Sequence, residues 1–395
     1  MPWPLLLALL AAPQDPGGPV WRPLLRSGSL EGWEILGPAE FRFLEDGALE
    51  GRNDTGRNAF LSTREEFGDF VLELEVLPFP GTNAGIQVRS HPVPGGDHLQ
   101  GYQIEVDTSE RSWSGGLYDE VRRGWLQPLQ GEAFATARKA LQPGAWNRFR
   151  IECDGLRIRS WVNGVACADW VDPLDLSGHI GLQVHGGRGQ RVRYREVRIL
   201  DRGLRSWEPL WNGRDLQGWE PRGGGRWSVE DGVLVGRHEA GDPEHGILLA
   251  AGEYGDFSLR AEFQAVRGNS GLYFRCEPVE DPVRVHGFQA EIDPERKVAG
   301  LYETGGRGWV AEPDPRLLGR AFRPGDWNVL HVTALGRRLV THLNGHLVSL
   351  LPEDPGRLRG RIGLQVHGGQ DVEVRFRALQ ILGPPRPRQE AQGED

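Results

Sequence analysis

Two pentapeptides, Gln103-Ile104-Glu105-Val106-Asp107 and Gln289-Ala290-Glu291-Ile292-Asp293, set an amide and two carboxylates at alternate positions. In an extended chain these side chains share one face, with the apolar residues between them on the other. Carboxylates side by side repel. One of them should then hold its proton above the usual carboxylate range, or a cation should sit between them. The first outcome supplies a general acid or base, the second a divalent metal site. Two further segments in each half alternate in the same way. Gln87 and Arg89 alternate with Ile86 and Val88, and Gln183 and His185 with Leu182 and Val184; later Tyr273 and Arg275, then Gln365 and His367, repeat the pattern. Strands lie about 4.8 Å apart in a sheet, so these rows could converge on one small ligand. The candidate catalytic residues are Glu105, Asp107, His185, Glu291, Asp293 and His367. Beside them Gly116-Leu117-Tyr118 and Gly124-Trp125 match Gly300-Leu301-Tyr302 and Gly308-Trp309. Glycine lets backbone approach closely, and Tyr118, Trp125, Tyr302 and Trp309 are platforms suited to sugar rings. With Gln87, Arg89, Gln103, Gln183, Tyr273, Arg275, Gln289 and Gln365 they form the expected substrate-binding set.

Alternation alone describes any sheet with one wet face. The stronger signal is that the chain repeats itself. Leu30-Glu31-Gly32-Trp33 returns as Leu216-Gln217-Gly218-Trp219, Phe67-Gly68-Asp69-Phe70 as Tyr254-Gly255-Asp256-Phe257, and Asn83-Ala84-Gly85 as Asn269-Ser270-Gly271. Gly181 to Gly187 and Gly363 to Gly369 are the same seven letters, Gly-Leu-Gln-Val-His-Gly-Gly. The offset is 186 at the first tryptophan (219 − 33) and 182 at the histidine (367 − 185), which marks duplication of a whole domain. Arg, Gln-x-Glu-x-Asp and Gln-x-His persist in both copies while much else differs. The boundary falls in Asp201–Glu208, giving a first domain over 21–200 and a second over 207–382. Residues 1–20 read as a signal peptide and leader, and 383–395, rich in Pro and charge, as a disordered tail.

Within each copy the period is two. Phe70, Leu72, Leu74 and Val76 fall on one face, Glu73 and Glu75 on the other. Asp154-Gly155 between two alternating runs predicts a hairpin. No helical period exceeds two or three turns, so the expected fold is all-β, a two-sheet sandwich of jelly-roll type in each copy. Fourteen Trp, 56 Gly and 28 Pro suit such a turn-rich β protein.

A net charge of −9, with Lys139 and Lys297 the only lysines and the arginines scattered among acids, argues against nucleic acid as a partner. Three cysteines, Cys153, Cys167 and Cys276, do not align between copies and read as small buried thiols. The apolar run from Leu5 to Ala12 predicts export, to the periplasm or beyond. No segment is long enough to span a bilayer.

The second copy resembles the 3-keto-disaccharide hydrolase family. The resemblance rests on Leu210 to Trp219, Trp227 to Leu234, Tyr254 to Phe257, Gly268 to Gly271, Pro324 to Asn328, Leu343 to Gly345 and Gly363 to His367. The first copy matches more loosely. The resemblance implies two tandem concanavalin A-like jelly rolls, export, and action on glycosides oxidised at C3. Family members often carry Glu-x-Gln-Ile followed by Asp. The order Gln-x-Glu-x-Asp here, with Gly-Gly-Leu-Tyr and Arg-Gly-Trp after it in the first copy, is similar to a subgroup and bears on substrate choice. A keto group at C3 acidifies the C2 proton, so a base can remove it and expel the glycosidic oxygen from C1, with water adding back. Glu105 and Glu291, or His185 and His367, are the candidates for base and acid. Arg89 and Arg275, or a divalent cation held by Glu and Asp, are the candidates for the enolate oxygen. No nicotinamide cofactor is implied. Three rivals remain at this point: a tandem carbohydrate-binding module, an ordinary glycosidase pairing Glu105 with Glu120, and an interaction scaffold. Thr304 stands where the second copy would need the partner of that glycosidase pair.

Overall fold

The computed structural model describes residues 20–386 other than Arg296. The leader expected over 1–20 therefore lies outside the described residues except for Val20. Each copy is a sandwich of an eight-stranded and a seven-stranded sheet, and every strand pairing is antiparallel. The fold is all-β, two tandem jelly-roll sandwiches, as the period-two pattern requires.

In the first copy the seven-stranded sheet runs, in spatial order, Gly124–Gln127, Leu117–Glu120, Leu99–Asp107, Asn83–Pro92, Gly178–Val184, Ala59–Phe67 and Trp33–Leu36. The second copy repeats it from Gly308–Ala311 to Trp219–Gly223. Strands distant in sequence become neighbours, which brings the Gln-x-Glu-x-Asp and Gln-x-His rows onto one sheet. Ile86, Val88, Tyr102, Ile104, Leu182 and Val184 face inward, and all are fully buried in the first core. Leu272, Phe274, Phe288, Ala290 and Leu364 do the same in the second. The Asp154-Gly155 hairpin forms as expected, with Gly155 in the left-handed region (φ 54°). All three cysteines are free and buried.

The eight-stranded sheets carry the contact between copies. Leu156, Val171 and Val340 form a buried cluster with Leu176, Trp207, Leu335 and Leu382 packed on it. Arg338 ties the copies by donating to a carboxylate oxygen of Asp169 at 2.8 Å. Gly383 to Arg386 are not free. The Gly383 amide donates to Ser206, and Leu204 and Arg386 exchange backbone hydrogen bonds of 3.0 and 2.8 Å. Gly383 to Arg386 of the expected tail are therefore held, because these residues find backbone partners in the linker. Residues 387–395 lie outside the described residues.

His331 and His342 are cross-strand partners beside this contact. Both are buried, with Trp207 packed 5.6 Å from the His331 ring. Asp172, Arg123 and Arg260 are the charged groups facing them, and the Val171 backbone lies near His342 outside hydrogen-bond geometry. Burial pushes His331 down to about 3 and His342 to about 4 from 6.5. Neutral rings fit the folded state, so their contribution is intact above 6.5 and is lost as pH falls through that value towards 4. At pH 5 the loss should be roughly 2 kcal/mol per ring. Thermal unfolding followed from pH 8 to pH 4.5 should show a steep fall in Tm below pH 6. The double variant His331→Gln, His342→Gln should flatten it.

Candidate functional site

In the second copy Gly271 sits opposite Gln365 on one side and Glu291 on the other. A Cβ at Gly271 would meet the Gln289 amide at 2.1 Å, and one at Gly85 would meet Gln103 at 2.3 Å. The glycine of each Asn-x-Gly motif therefore lets a glutamine lie across its strand towards the neighbouring one. Asn269 Nδ2 donates to Glu291 Oε1 at 2.6 Å, and Gln289 Nε2 donates to Glu291 Oε2 at 3.2 Å. The same Gln289 nitrogen lies 3.0 Å from Gln365 Oε1, and Gln365 Nε2 lies 2.8 Å from His245 Nδ1.

The direction of this relay follows from its first member. A carboxylate only accepts, so Gln289 presents its NH2, Gln365 presents its oxygen to Gln289, and the Gln365 NH2 is left for His245. His245 Nδ1 must then accept. The network thus assigns the proton to Nε2. Burial, then His367 and His238, hold His245 down to about 4, so its ring is neutral at neutral pH. His367 packs 4.2 Å away, ring centre to ring centre. Its Nδ1 lies 2.6 Å from the Gly368 carbonyl, which can only accept, and 3.2 Å from Gln370 Nε2; the shorter contact puts the proton on Nδ1 and leaves the Nε2 lone pair free.

Glu291 is 5% exposed. Burial raises it to about 7, Asp293 adds to the rise, and Asn269 and Lys297 oppose it. Lys297 does not touch the carboxylate. It pairs with Glu312 at 2.9 Å and stands 4.1 Å above the Trp309 ring. His245, Asn269, Tyr273, Gln289, Glu291, Tyr302, Thr304, Trp309, Gln365 and His367 surround one cavity of about 280 Å³. Seven of the second-copy residues predicted from sequence line it. The carboxamide oxygen of Asn269 is buried without a partner, an acceptor available to a ligand hydroxyl.

Four predicted residues take parts other than those expected. Arg89 and Arg275 sit within β-bulges, at φ 47° and 46°, where the register shifts. The bulge breaks the alternation and turns each guanidinium away from the polar row. Arg89 is fully buried on the carbonyls of Gly68 and Gly155 and on Asp69 at 3.0 Å; Arg275 donates to Gly255 and Gly336 carbonyls and pairs with Asp256. They tie loops together and do not face the ligand cavity. Arg89→Leu should cost roughly 3–5 kcal/mol by leaving Asp69 buried with one partner fewer; urea unfolding measures it. Asp107 and Asp293 serve their own turns. Asp107 accepts from the Ser109 amide and Arg111, and Asp293 from the Glu295 amide. A divalent cation needs convergent oxygen or nitrogen donors. Among the described residues no three of His, Cys, Asp and Glu gather in that way, and both Glu291 oxygens already accept from amides. The residues do not fit a metal.

The first copy builds a different site on the same frame. Glu105 accepts from Asn83 at 2.6 Å and Gln103 at 3.1 Å, and Arg111 pairs with it directly at 3.1 Å. Burial still raises the Glu105 carboxyl. Gln87 replaces Tyr273 and donates to Gln103. Asn58 stands where the second copy has His245, since Ala59 and Gly246 pair with Val184 and Val366 alike. Asn58 donates to Glu120 at 3.0 Å. Tyr118 and Trp125 pack edge to face 5.2 Å apart, as Tyr302 and Trp309 do at 5.3 Å. His185 bonds the Gly186 carbonyl as His367 does its own neighbour. Gln183 is fully buried, and neither end of its amide has a partner.

The chain matches the family described as a 3-keto-alpha-glucoside-1,2-lyase-like domain over residues 20–200 and again over 206–382. It belongs to that family, with two tandem copies. No curated relative matches it. Several solved structures resemble one copy at low identity. A protein of Parabacteroides distasonis provisionally named a glycosyl hydrolase is 20% identical, over 44% of this chain and 92% of its own, with a TM-score of 0.34. The carbohydrate-binding module CBM66 of Bacillus subtilis is 20% identical, over 42% and 96%, with a TM-score of 0.34. A Bacillus subtilis protein of unknown function with a galectin-like fold is 16% identical, over 46% and 96%, with a TM-score of 0.37.

His245, Asn58, Asn269 and the cations Arg111 and Lys297 were not among the residues singled out from sequence. Asn269 was within reach, because it belongs to the repeated Asn-x-Gly. His245 was not: it differs between copies, and the comparison that raised the polar row discards such positions.

Proposed function

We propose that the second copy cleaves the glycosidic bond of 3-keto-glycosides by proton abstraction and β-elimination. The observation that carries this reading is Glu291, a buried carboxyl raised to about 7 at the wall of a cavity of sugar-ring size. Its ionised form takes the C2 proton. The electrons left on C2 form the C1–C2 double bond as the C1–oxygen bond breaks, and the C3 oxygen carries the charge in the enolate that precedes cleavage. The neutral His245 Nε2–H donates to that oxygen, the role first given to Arg275. Glu291, now carrying the C2 proton, passes it to the leaving oxygen. In the return step the Nε2 lone pair of His367 takes a proton from water, the water oxygen bonds to C1, and the proton on Nε2 goes to C2. Tyr302 and Trp309 flank the ring, and Asn269 accepts from a hydroxyl. We further place this activity outside the cytoplasm, on the strength of the apolar N-terminal run. Among the described residues no helix is long and apolar enough to cross a membrane.

The first copy fits a binding role better. Its carboxylate is ion-paired with Arg111, and its Asn58 is engaged by Glu120. An ordinary two-carboxylate glycosidase is disfavoured in the second copy, where Thr304 bonds Tyr273 in the place of Glu120. The test is incubation with a 3-keto-glucoside and with its unoxidised parent, with and without chelator. Release of aglycone from the keto sugar alone, unaffected by chelator, is expected. Equal release from both, or from neither, overturns the proposal.

A further inference from the structure

The two copies differ on the other sheet as well. Leu24 and Leu25 both donate their amides to the Val197 carbonyl, as Leu210 donates to Leu379. The flanking strands pair in the same register, Trp21 with Leu200 and Trp207 with Leu382. Leu25 therefore occupies the position of Trp211. In the second copy that indole is 5% exposed, packed into the core, with its Nε1 donating to the Asp215 carbonyl at 2.8 Å. In the first copy the smaller leucine borders a cavity of about 700 Å³.

Trp21, Leu25 and Phe43 supply its apolar walls, and Asp46, Glu75 and Arg198 are among its polar ones. The polar groups are held in place. Glu75 pairs with Arg195 at 2.6 Å, and Arg198 lies over Trp21 at 4.9 Å while bonding Glu73 at 2.6 Å. The adjoining bulge sets Glu196 in the left-handed region at φ 52°, on the cavity wall, where the second copy has Ala378 at φ 48°. A half-exposed indole with fixed carboxylates and a guanidinium around it suits a neutral polyhydroxy ligand. The ring takes the C–H face of a sugar, and the planar charged groups take paired hydroxyls. The volume lies within the roughly 300–1,000 Å³ of ligand clefts and leaves room for more than one ring.

We infer that the first copy carries a second carbohydrate site here, on the sheet opposite its polar row, which holds a neutral oligosaccharide without acting on it. This inference rests on the reading of the protein as one that handles carbohydrate. The test uses the full chain and titrates it by calorimetry with cellohexaose, maltohexaose and laminarihexaose. Leu25→Trp should plug the cavity and weaken binding of the preferred hexaose at least tenfold, with turnover of a small 3-keto-glucoside unchanged. Trp21→Ala, at the strand edge, should weaken it similarly and guards against a folding defect in the first variant. Hexaose affinity equal in wild type and both variants, or no binding of any of the three at millimolar concentration, overturns the inference and leaves the catalytic reading standing. Variant-sensitive hexaose binding without keto-sugar turnover supports this site and overturns the catalytic reading alone.

Discussion

Glu291→Gln should lower kcat on a 3-keto-glucoside by about 10²–10⁴-fold with little change in KM, the range expected on losing a general base. Gln keeps the shape: its oxygen still accepts from Gln289, and its NH2 can donate to Asn269 once that carboxamide turns its unpartnered oxygen inward, so binding survives while the proton acceptor is gone. The wild-type pH profile should show the same group. Glu291 works ionised, and its carboxyl is raised to about 7. kcat/KM should therefore rise with pH and reach half its plateau near 7. His245, held down to about 4, stays neutral throughout that rise and adds no second limb to it. Stability should move the opposite way. A carboxyl raised above its unfolded value of 4.5 favours the folded state most below 4.5, and that advantage is lost as pH rises through 7. At pH 8 the charged, buried Glu291 costs on the order of 3 kcal/mol, so Glu291→Gln should melt higher than wild type there. Lower activity with a higher Tm at pH 8 is a joint outcome that a mere surface carboxylate does not produce. A variant with unchanged turnover removes Glu291 from the mechanism.

His245→Asn should lower kcat by about 10²–10³-fold, the cost of removing one donor from a developing oxyanion. Asparagine is what the first copy has at this position. Its oxygen can accept from Gln365 as the His245 Nδ1 does, but it has no group at the place of Nε2. His245→Gln extends an amide N–H further out and should recover part of the loss. The split matters: the effect should fall on kcat, and a change confined to KM would make His245 a ground-state contact instead. The first copy is then a natural counterpart of the His245→Asn variant. A protein carrying Glu291→Gln with its first copy intact should show no more turnover than one carrying Glu291→Gln with Glu105→Gln.

Much of this arrangement is legible in the sequence, because alternation fixes faces and duplication marks which faces are kept. Gln289, Glu291, Gln365 and His367 fall on one sheet for that reason. Arg89 and Arg275 obey the same alternation on paper and break it in space. A single bulge residue at positive φ reverses the face, and nothing in Val88-Arg89-Ser90 announces it. The aspartates fail differently. They stand at strand ends, where the turn's own amides compete for them more closely than a ligand does. His245 illustrates a third limit. A residue that one copy has and the other lacks carries no repeat signal, although such differences are what would let two copies diverge in role.

The clasp between linker and tail bears on how this gene can be rearranged. Leu204 and Arg386 pair through their backbones, Arg205 reaches Gly383, Asp69 and Asp154, and Arg386 pairs with Glu208. The end of the second copy is thus stitched to the seam between the copies. Arg338 adds a further cross-stitch to Asp169. A cut at the seam would strip partners from both halves at once. The two copies are joined there into a single piece, and recombination at the seam would take partners from each side.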